Sequence, residues 1–170
     1  AKSDAATPWD PTAKVVIPCT DLSIRGYIDR LDLSDDRKVA FVRDYKTGKT
    51  PKPDIVLNGG RELQRCLDAF ATRALLGADV SVTAALYYPR DEVDLPLQDA
   101  DAVLSAVTGH LVAAVASLRT GAAVPGTDAG NSYDDLALAL PANAAASYLR
   151  RKAAAIGQRL GAAAEVWEEQ

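Results

Sequence analysis

Two aspartates and a lysine stand out in the stretch "GYIDRLDLSDDRKVAFVRDYKTG", residues 26–48. Asp29 and Asp44 are fifteen positions apart, and Lys46 follows the second by two. The polar run "SDDRK" separates two segments of strand-like composition, 22–33 and 39–47, which read together as a β-hairpin. Facing residues of an antiparallel pair have a constant index sum. A turn centred between Asp36 and Arg37 sets that sum at 73, for a loop of two residues or of four. Asp29 then faces Asp44, and Lys46 lies two residues along on the same face. An odd loop length or a bulge breaks this pairing.

Two carboxylates facing each other across a strand pair have β-carbons about 5 Å apart and repel. Left bare, the pair raises one carboxyl pKa or pushes the strands apart. A divalent cation between them removes the conflict. Mg²⁺ takes oxygen ligands and is held by one or two carboxylates, with water and phosphate oxygens completing the shell. A lysine beside such an ion can contact a phosphate oxygen or the attacking water, which suits phosphodiester hydrolysis. The plainer alternative is a solvated hairpin face of exposed ion pairs. Charge spacing alone leaves both open.

The elements that position these residues follow from pattern. "KVVIPC" (14–19) reads as a short strand, and "GKTPKPDIVLNGG" (48–60) as a loop. Over 61–76 the period becomes helical, with Leu63, Cys66, Leu67, Phe70, Ala74 and Leu75 recurring and Gly77 as the C-cap. Residues 80–88 return to strand composition and end at Pro89. A helix over 98–119 carries Val103, Val107, Leu111, Val115 and Leu118 in one stripe, and a loop spans 120–135. The Ala-rich tail, 142–169, suits a helix and includes the basic cluster Arg150, Arg151 and Lys152. Strands, helix, strand and helices in this order predict an α/β layer fold. The expected division is a core over 1–125 and a loop with helical tail over 126–170.

Composition narrows the classes without choosing among them. The chain of 170 residues is 48% hydrophobic and 25% charged, enough for one well-packed core. A net charge of −4 argues against a broad basic surface, although sites for divalent cations are themselves acidic. No uninterrupted run of 18 apolar residues is present, so no membrane partner is expected, and a cytoplasmic location is. The polar start "AKSDAATPWDP" and the absence of methionine read as a segment of a longer protein. Cys19 and Cys66 lack metal-ligand spacing and are expected as buried free thiols. His110 sits within a helical pattern with no motif around it and reads as an ordinary helix residue. No G-x-x-x-x-G-K phosphate loop occurs.

"GYIDRLD", then "DYKTG", then "GGRELQ" together resemble the PD-(D/E)xK nuclease superfamily, most closely the RecB- and AddB-type nuclease domains of bacterial repair helicase–nucleases. The resemblance runs from about residue 15 to 90 and more weakly beyond. It implies a restriction-endonuclease-like mixed sheet flanked by helices. It also implies metal-binding carboxylates at Asp29 and Asp44, a metal-facing backbone carbonyl at Tyr45, a catalytic lysine at Lys46 and a site-bordering glutamine at Gln64. Arg30 and Asp32 belong to the same motif, with a role as hairpin ion-pair partners equally in view. The implied cofactor is Mg²⁺ or Mn²⁺, and the implied partners are DNA and a helicase domain or partner subunit.

Three departures accompany the resemblance. The family's upstream helix, which carries a further metal ligand, has no counterpart before Lys14. The tyrosine usually four residues after the glutamine is replaced by Asp68, which is expected to face water. The cysteines of an AddB-type iron–sulfur cluster are replaced by Asn131, Asp134 and Leu140, so no such cluster is expected. The alternative to a working metal-dependent DNA nuclease is an inactive nuclease-like scaffold or DNA-guiding module.

Overall fold

A computed structural model describes residues 8–10, 12–53, 56–60, 62–122 and 140–164. They form β1 (Val15–Val16), β2 (Ser23–Ile24), β3 (Arg30–Leu33), β4 (Val39–Tyr45), α1 (Gln64–Leu76), β5 (Ser81–Tyr88), β6 (Val93–Pro96), α2 (Ala100–Arg119) and α3 (Ala145–Leu160). The chain divides into two compact units, one of residues 1–56 and 62–108, the other of residues 57–61 and 109–170. Helix α2 runs from the first into the second.

The hairpin has the expected register. Arg30 pairs with Arg43, Leu31 with Val42, Asp32 with Phe41 and Leu33 with Ala40, each summing to 73. Four residues, 35–38, make the turn. Ser34 N–H donates to Val39 O (2.9 Å), and Arg37 adopts φ 57°, the left-handed conformation that closes such loops. β4 then pairs in parallel with β5, which pairs antiparallel with β6, giving the order β3-β4-β5-β6. Parallel neighbours need a crossover, and α1 supplies it, packing across β4 and β5 and against β1. The result is the mixed α/β sheet with flanking helices that the sequence predicts.

Two strand boundaries differ from expectation. Residues 22–33 are not one strand: β2 pairs with β1 in a separate two-stranded sheet, and residues 25–29 break away before β3 begins. Alternation has the same period in both sheets, so it does not mark the change of partner. β6 escapes the sequence reading because four residues ending in Pro96 carry little strand signal. Cys66 is buried, but Cys19 is exposed, against expectation. It takes φ 59° in the tight turn between β1 and β2, where Thr20 N–H donates to Ile17 O (3.2 Å).

Along β4, Ala40, Val42 and Asp44 are buried on one face, while Phe41 and Arg43 are half-buried on the other. The buried face continues on β5 with Val82, Ala84, Leu86 and Tyr88, and Leu86 packs with Tyr88, Leu95 and Val93. The opposite face is polar. Arg30 and Arg43 grip Asp32 at 2.9 and 2.6 Å, Arg43 reaches Asp94 at 3.1 Å, and its guanidinium stands 4.0 Å over the Phe41 ring. Arg30 and Asp32 therefore act as ion-pair partners on the face away from Asp44.

By length and composition α2 could cross a membrane, with a mean hydropathy of 1.5, although no uninterrupted apolar run occurs in it. Its Leu104 and Val107 are buried, while Val112 and Leu118 are exposed, so the expected stripe is buried only in part. In the second unit, α3 buries Ile156, stacks Lys152 over Tyr148 at 5.5 Å and exposes Arg150 and Arg151. His110 lies half-buried on α2, and residues 123–139, which include Asn131 and Asp134, lie outside the described residues.

Leu86 is 1% exposed at the centre of the buried face. Leu86→Ala lowers stability by about 2–5 kcal/mol, with Tm falling roughly 2–4 °C for each kcal/mol. Val39→Ala, at a position 52% exposed on the neighbouring strand β4, changes stability by no more than about 0.5 kcal/mol. Thermal denaturation of both variants checks the assignment of faces.

Candidate active site

Asp44 ends the buried face of β4, at the carboxyl end of the strand, and is only 7% exposed. A carboxylate so placed needs partners. Gln64 Nε2 donates to Asp44 Oδ1 at 2.6 Å, and Lys46 Nζ stands 2.7 Å from Asp44 Oδ2. Lys46 also donates to Gln64 Oε1 at 2.7 Å. The three side chains close a triangle that fixes which end of the Gln64 amide faces which partner. The Lys46–Asp44 contact is an ion pair without hydrogen-bond alignment, since Asp44 Oδ2 is buried and accepts no hydrogen bond among the described residues.

Strand geometry places Lys46. Its N–H donates to Tyr87 O at 2.8 Å, carrying the β4–β5 pairing one residue past the strand and setting Lys46 on the face of Asp44. On the other side of β4, β3 begins only at Arg30, so Tyr45 N–H has no backbone acceptor there. Asp29 Oδ2 takes it, at 3.0 Å. The exposed Asp29 carboxylate thus replaces a missing ladder acceptor for Tyr45, and Asp29 does not pair with Asp44 as the hairpin register predicts, because the ladder begins only at Arg30–Arg43. Tyr45 contributes this N–H, and its ring packs edge-on to Tyr87 at 5.5 Å.

Gln64 is the first residue of α1, so the helix must start in register with Asp44. Leu63, the N-cap, provides no side-chain cap. Glu62 does this instead: its Oε1 accepts from the N–H groups of Gln64 (3.0 Å) and Arg65 (3.3 Å), satisfying donors that a helix start leaves orphaned. Its Oε2 meets Arg65 Nε at 2.6 Å, and Arg65 Nη2 donates to Val56 O at 2.7 Å. Arg65 is 5% exposed. The sequence reading missed Glu62 and Arg65, although their i, i+3 spacing in "GGRELQR" is the available signal.

Asp68, one turn beyond Gln64, does not face water as expected. It is half-buried. Burial, then the charges of Asp44 and Asp29, push its carboxyl up from 3.8 to about 7, with Lys46 opposing. Four acidic groups therefore share this corner: Asp29, Asp44, Glu62 and Asp68. Among the described residues no three His, Cys, Asp or Glu side chains stand close enough to hold one ion. Asp29 and Asp44 with backbone, water and phosphate oxygens still meet what Mg²⁺ asks of a protein, and the buried, unbonded Asp44 Oδ2 is a ready ligand atom. Cys66, by contrast, is held inert: burial pushes its thiol up to about 11.

A family model described as the PD-(D/E)XK nuclease superfamily matches residues 2–165. No curated protein and no solved structure matches the chain.

Glu62→Ala removes the ion pair of the buried Arg65 and uncaps α1, at a cost of about 3 kcal/mol in urea unfolding, while Glu62→Gln, which keeps the acceptor, costs less. Asp68 gives a pH signature. A carboxyl at about 7 when folded and near 3.8 unfolded binds more protons in the folded state between those values, so its contribution to stability falls as pH rises from about 4 to about 7. Asp68→Asn removes that penalty. The variant and the parent match near pH 4, and the variant is more stable above pH 7, by roughly 1–2 kcal/mol after solvent screening of a half-buried group. Denaturation midpoints across pH check both.

Proposed function

Because the chain belongs to the PD-(D/E)XK nuclease superfamily, whose members are generally nucleases using divalent metals, we propose that it is a Mg²⁺- or Mn²⁺-dependent DNA nuclease domain of the RecB/AddB type, working in cytoplasmic DNA repair. The single observation that carries this reading is the Asp44–Lys46–Gln64 triangle beside Asp29, on a sheet consistent with a restriction-endonuclease-like fold. Asp29, Asp44 and the Tyr45 carbonyl would hold the ion. When bound, the ion neutralises charge on the phosphate and activates water.

The chain's own residues have separate tasks. Asp44, at the carboxyl end of β4, offers Oδ2 as a ligand atom. Lys46 stabilises the charge that develops on the phosphate oxygens. Gln64 holds both, so that Lys46 stays beside the reacting phosphate when a cation takes its place on Asp44. Tyr45 N–H orients Asp29. With a net charge of −4, delivery of the strand falls to a helicase domain or partner subunit rather than to broad electrostatic capture.

A second reading, an inactive scaffold, is favoured by one observation: no three acidic side chains among the described residues converge on one point. Cleavage and metal binding separate the two. Single- and double-stranded DNA are cut with Mg²⁺ or Mn²⁺ and not with EDTA, and Lys46→Ala and Asp44→Asn each lower the rate by about a hundredfold or more. Mn²⁺ at about a hundred times its Kd stabilises the parent by about 2.7 kcal/mol, and Asp44→Ala abolishes the shift. Folded protein with neither cleavage nor a Mn²⁺ shift establishes the scaffold.

A further inference from the structure

Beside the site lies a cleft of about 230 Å³, lined by Trp9, Arg25, Tyr27, Ile28, Asp68 and Ala71 among others. The break between β2 and β3 forms one wall, Trp9, Asp10 and Ala13 the second, and α1 the third. Its volume is below the roughly 300–1,000 Å³ of sites that enclose whole cofactors or drug-sized ligands, and is suited to a single ring system. The cleft abuts the site at two points. Ile28 precedes Asp29 in the chain, and Asp68 lies within reach of the Asp29 and Asp44 charges.

Its lining selects the ligand. Tyr27 is 97% exposed, so both faces of its ring are free. A lone exposed aromatic is ordinary on a protein surface; one at the rim of a cleft, two residues from a site aspartate, is placed to stack. Nothing stands within 4 Å of where a Cβ would lie on Gly26, which leaves the backbone beside Tyr27 open to a ligand. Trp9 adds an aromatic to the far wall. Of the two acidic residues in the lining, Asp10 is spent on its own turn, accepting from Thr12 N–H (2.8 Å) and Thr12 Oγ1 (2.6 Å). Asp68 remains, with Arg25 in the same lining. Beyond these groups the cleft is largely apolar, with Val15, Ile24, Ile28 and Leu75, which suits the face of a ring carrying polar groups on its edge.

Resting on the nuclease reading, we propose that this cleft receives the base of the nucleotide next to the scissile phosphate, stacked on Tyr27. A base enters such a cleft only when it has left its own stack, so the substrate strand is unpaired at this position: single-stranded DNA, or a frayed end. Duplex interiors gain nothing from Tyr27. Base–aromatic stacking is sequence-tolerant because every base presents a π-face, so the cleft sets strand state rather than sequence.

The test measures binding apart from turnover. A fluorescein-labelled oligothymidylate of about 15 nucleotides, at the upper end of single-strand site sizes, is titrated with Lys46→Ala protein in Mg²⁺, and a labelled duplex in parallel. Adding Tyr27→Ala weakens single-strand binding about tenfold, as loss of one stacked base does. Tyr27→Phe keeps it within about twofold, and duplex binding does not change. Single-strand affinity unaffected by Tyr27→Ala, or equal loss on both substrates, overturns the cleft assignment while leaving the nuclease reading in place. Parent protein that neither binds nor cuts any DNA overturns both.

Discussion

A carboxylate at the end of a sheet's buried face is costly to desolvate unless its oxygens are met by donors, and Asp44 is in that position. The surrounding structure can be understood as the supply of those donors. Lys46 comes from the same strand, carried past its end by the pairing to Tyr87. Gln64 comes from α1, and reaches Asp44 only if the helix begins at that residue and at that height above the sheet. That requirement passes to Glu62 and Arg65, whose ion pair of 2.6 Å and shared backbone contacts fix where the first turn starts. One buried oxygen pair thus dictates the phase of a helix through residues that never touch it.

The two faces of the sheet divide the work in an unexpected way. The face away from α1 is rich in charge, yet Arg30, Asp32, Arg43 and Asp94 neutralise one another there, and Arg30 holds Asp32 below the ordinary carboxyl range. The apolar face leads to the Asp44–Lys46–Gln64 cluster. Ala40 and Val42 pack beneath α1, and the next inward position is Asp44. A side chain that continues a core inherits its rigidity: the Cα of Asp44 is fixed by ladders, while its carboxylate meets Gln64 and Lys46.

Much of this is legible in the sequence. Centring an even turn between Asp36 and Arg37 sets the index sum of 73, and Ser34 and Val39 close that loop. The helical stripe located α1 and Gly77 its end, where the cap N–H donates to Arg73 O. Asp68 was not legible as a site residue. Its spacing from Gln64 put the two on one helical face, but pattern does not say how the polar edge of α1 meets the sheet, and a carboxylate there reads as solvated by default. The break at residues 25–29 was hidden for a different reason, since β2 and β3 alternate alike while belonging to separate sheets.

That break is what links the site to its surroundings. Had residues 22–33 remained one strand, Asp29 would have paired through its backbone, and its carboxylate would not have been free to accept Tyr45 N–H. The same departure lifts Tyr27 away from the sheet and opens the space over Asp68. Asp68 gains its raised pKa from burial and from the nearby charges of Asp44 and Asp29. Ionising Asp68 in turn favours any cation or donor brought to this corner, since it adds to the negative charges of Asp29, Asp44 and Glu62, which Lys46 opposes. Occupancy of the site and the charge state of the cleft beside it are therefore coupled through one residue, and a ligand entering either changes the electrostatics of the other.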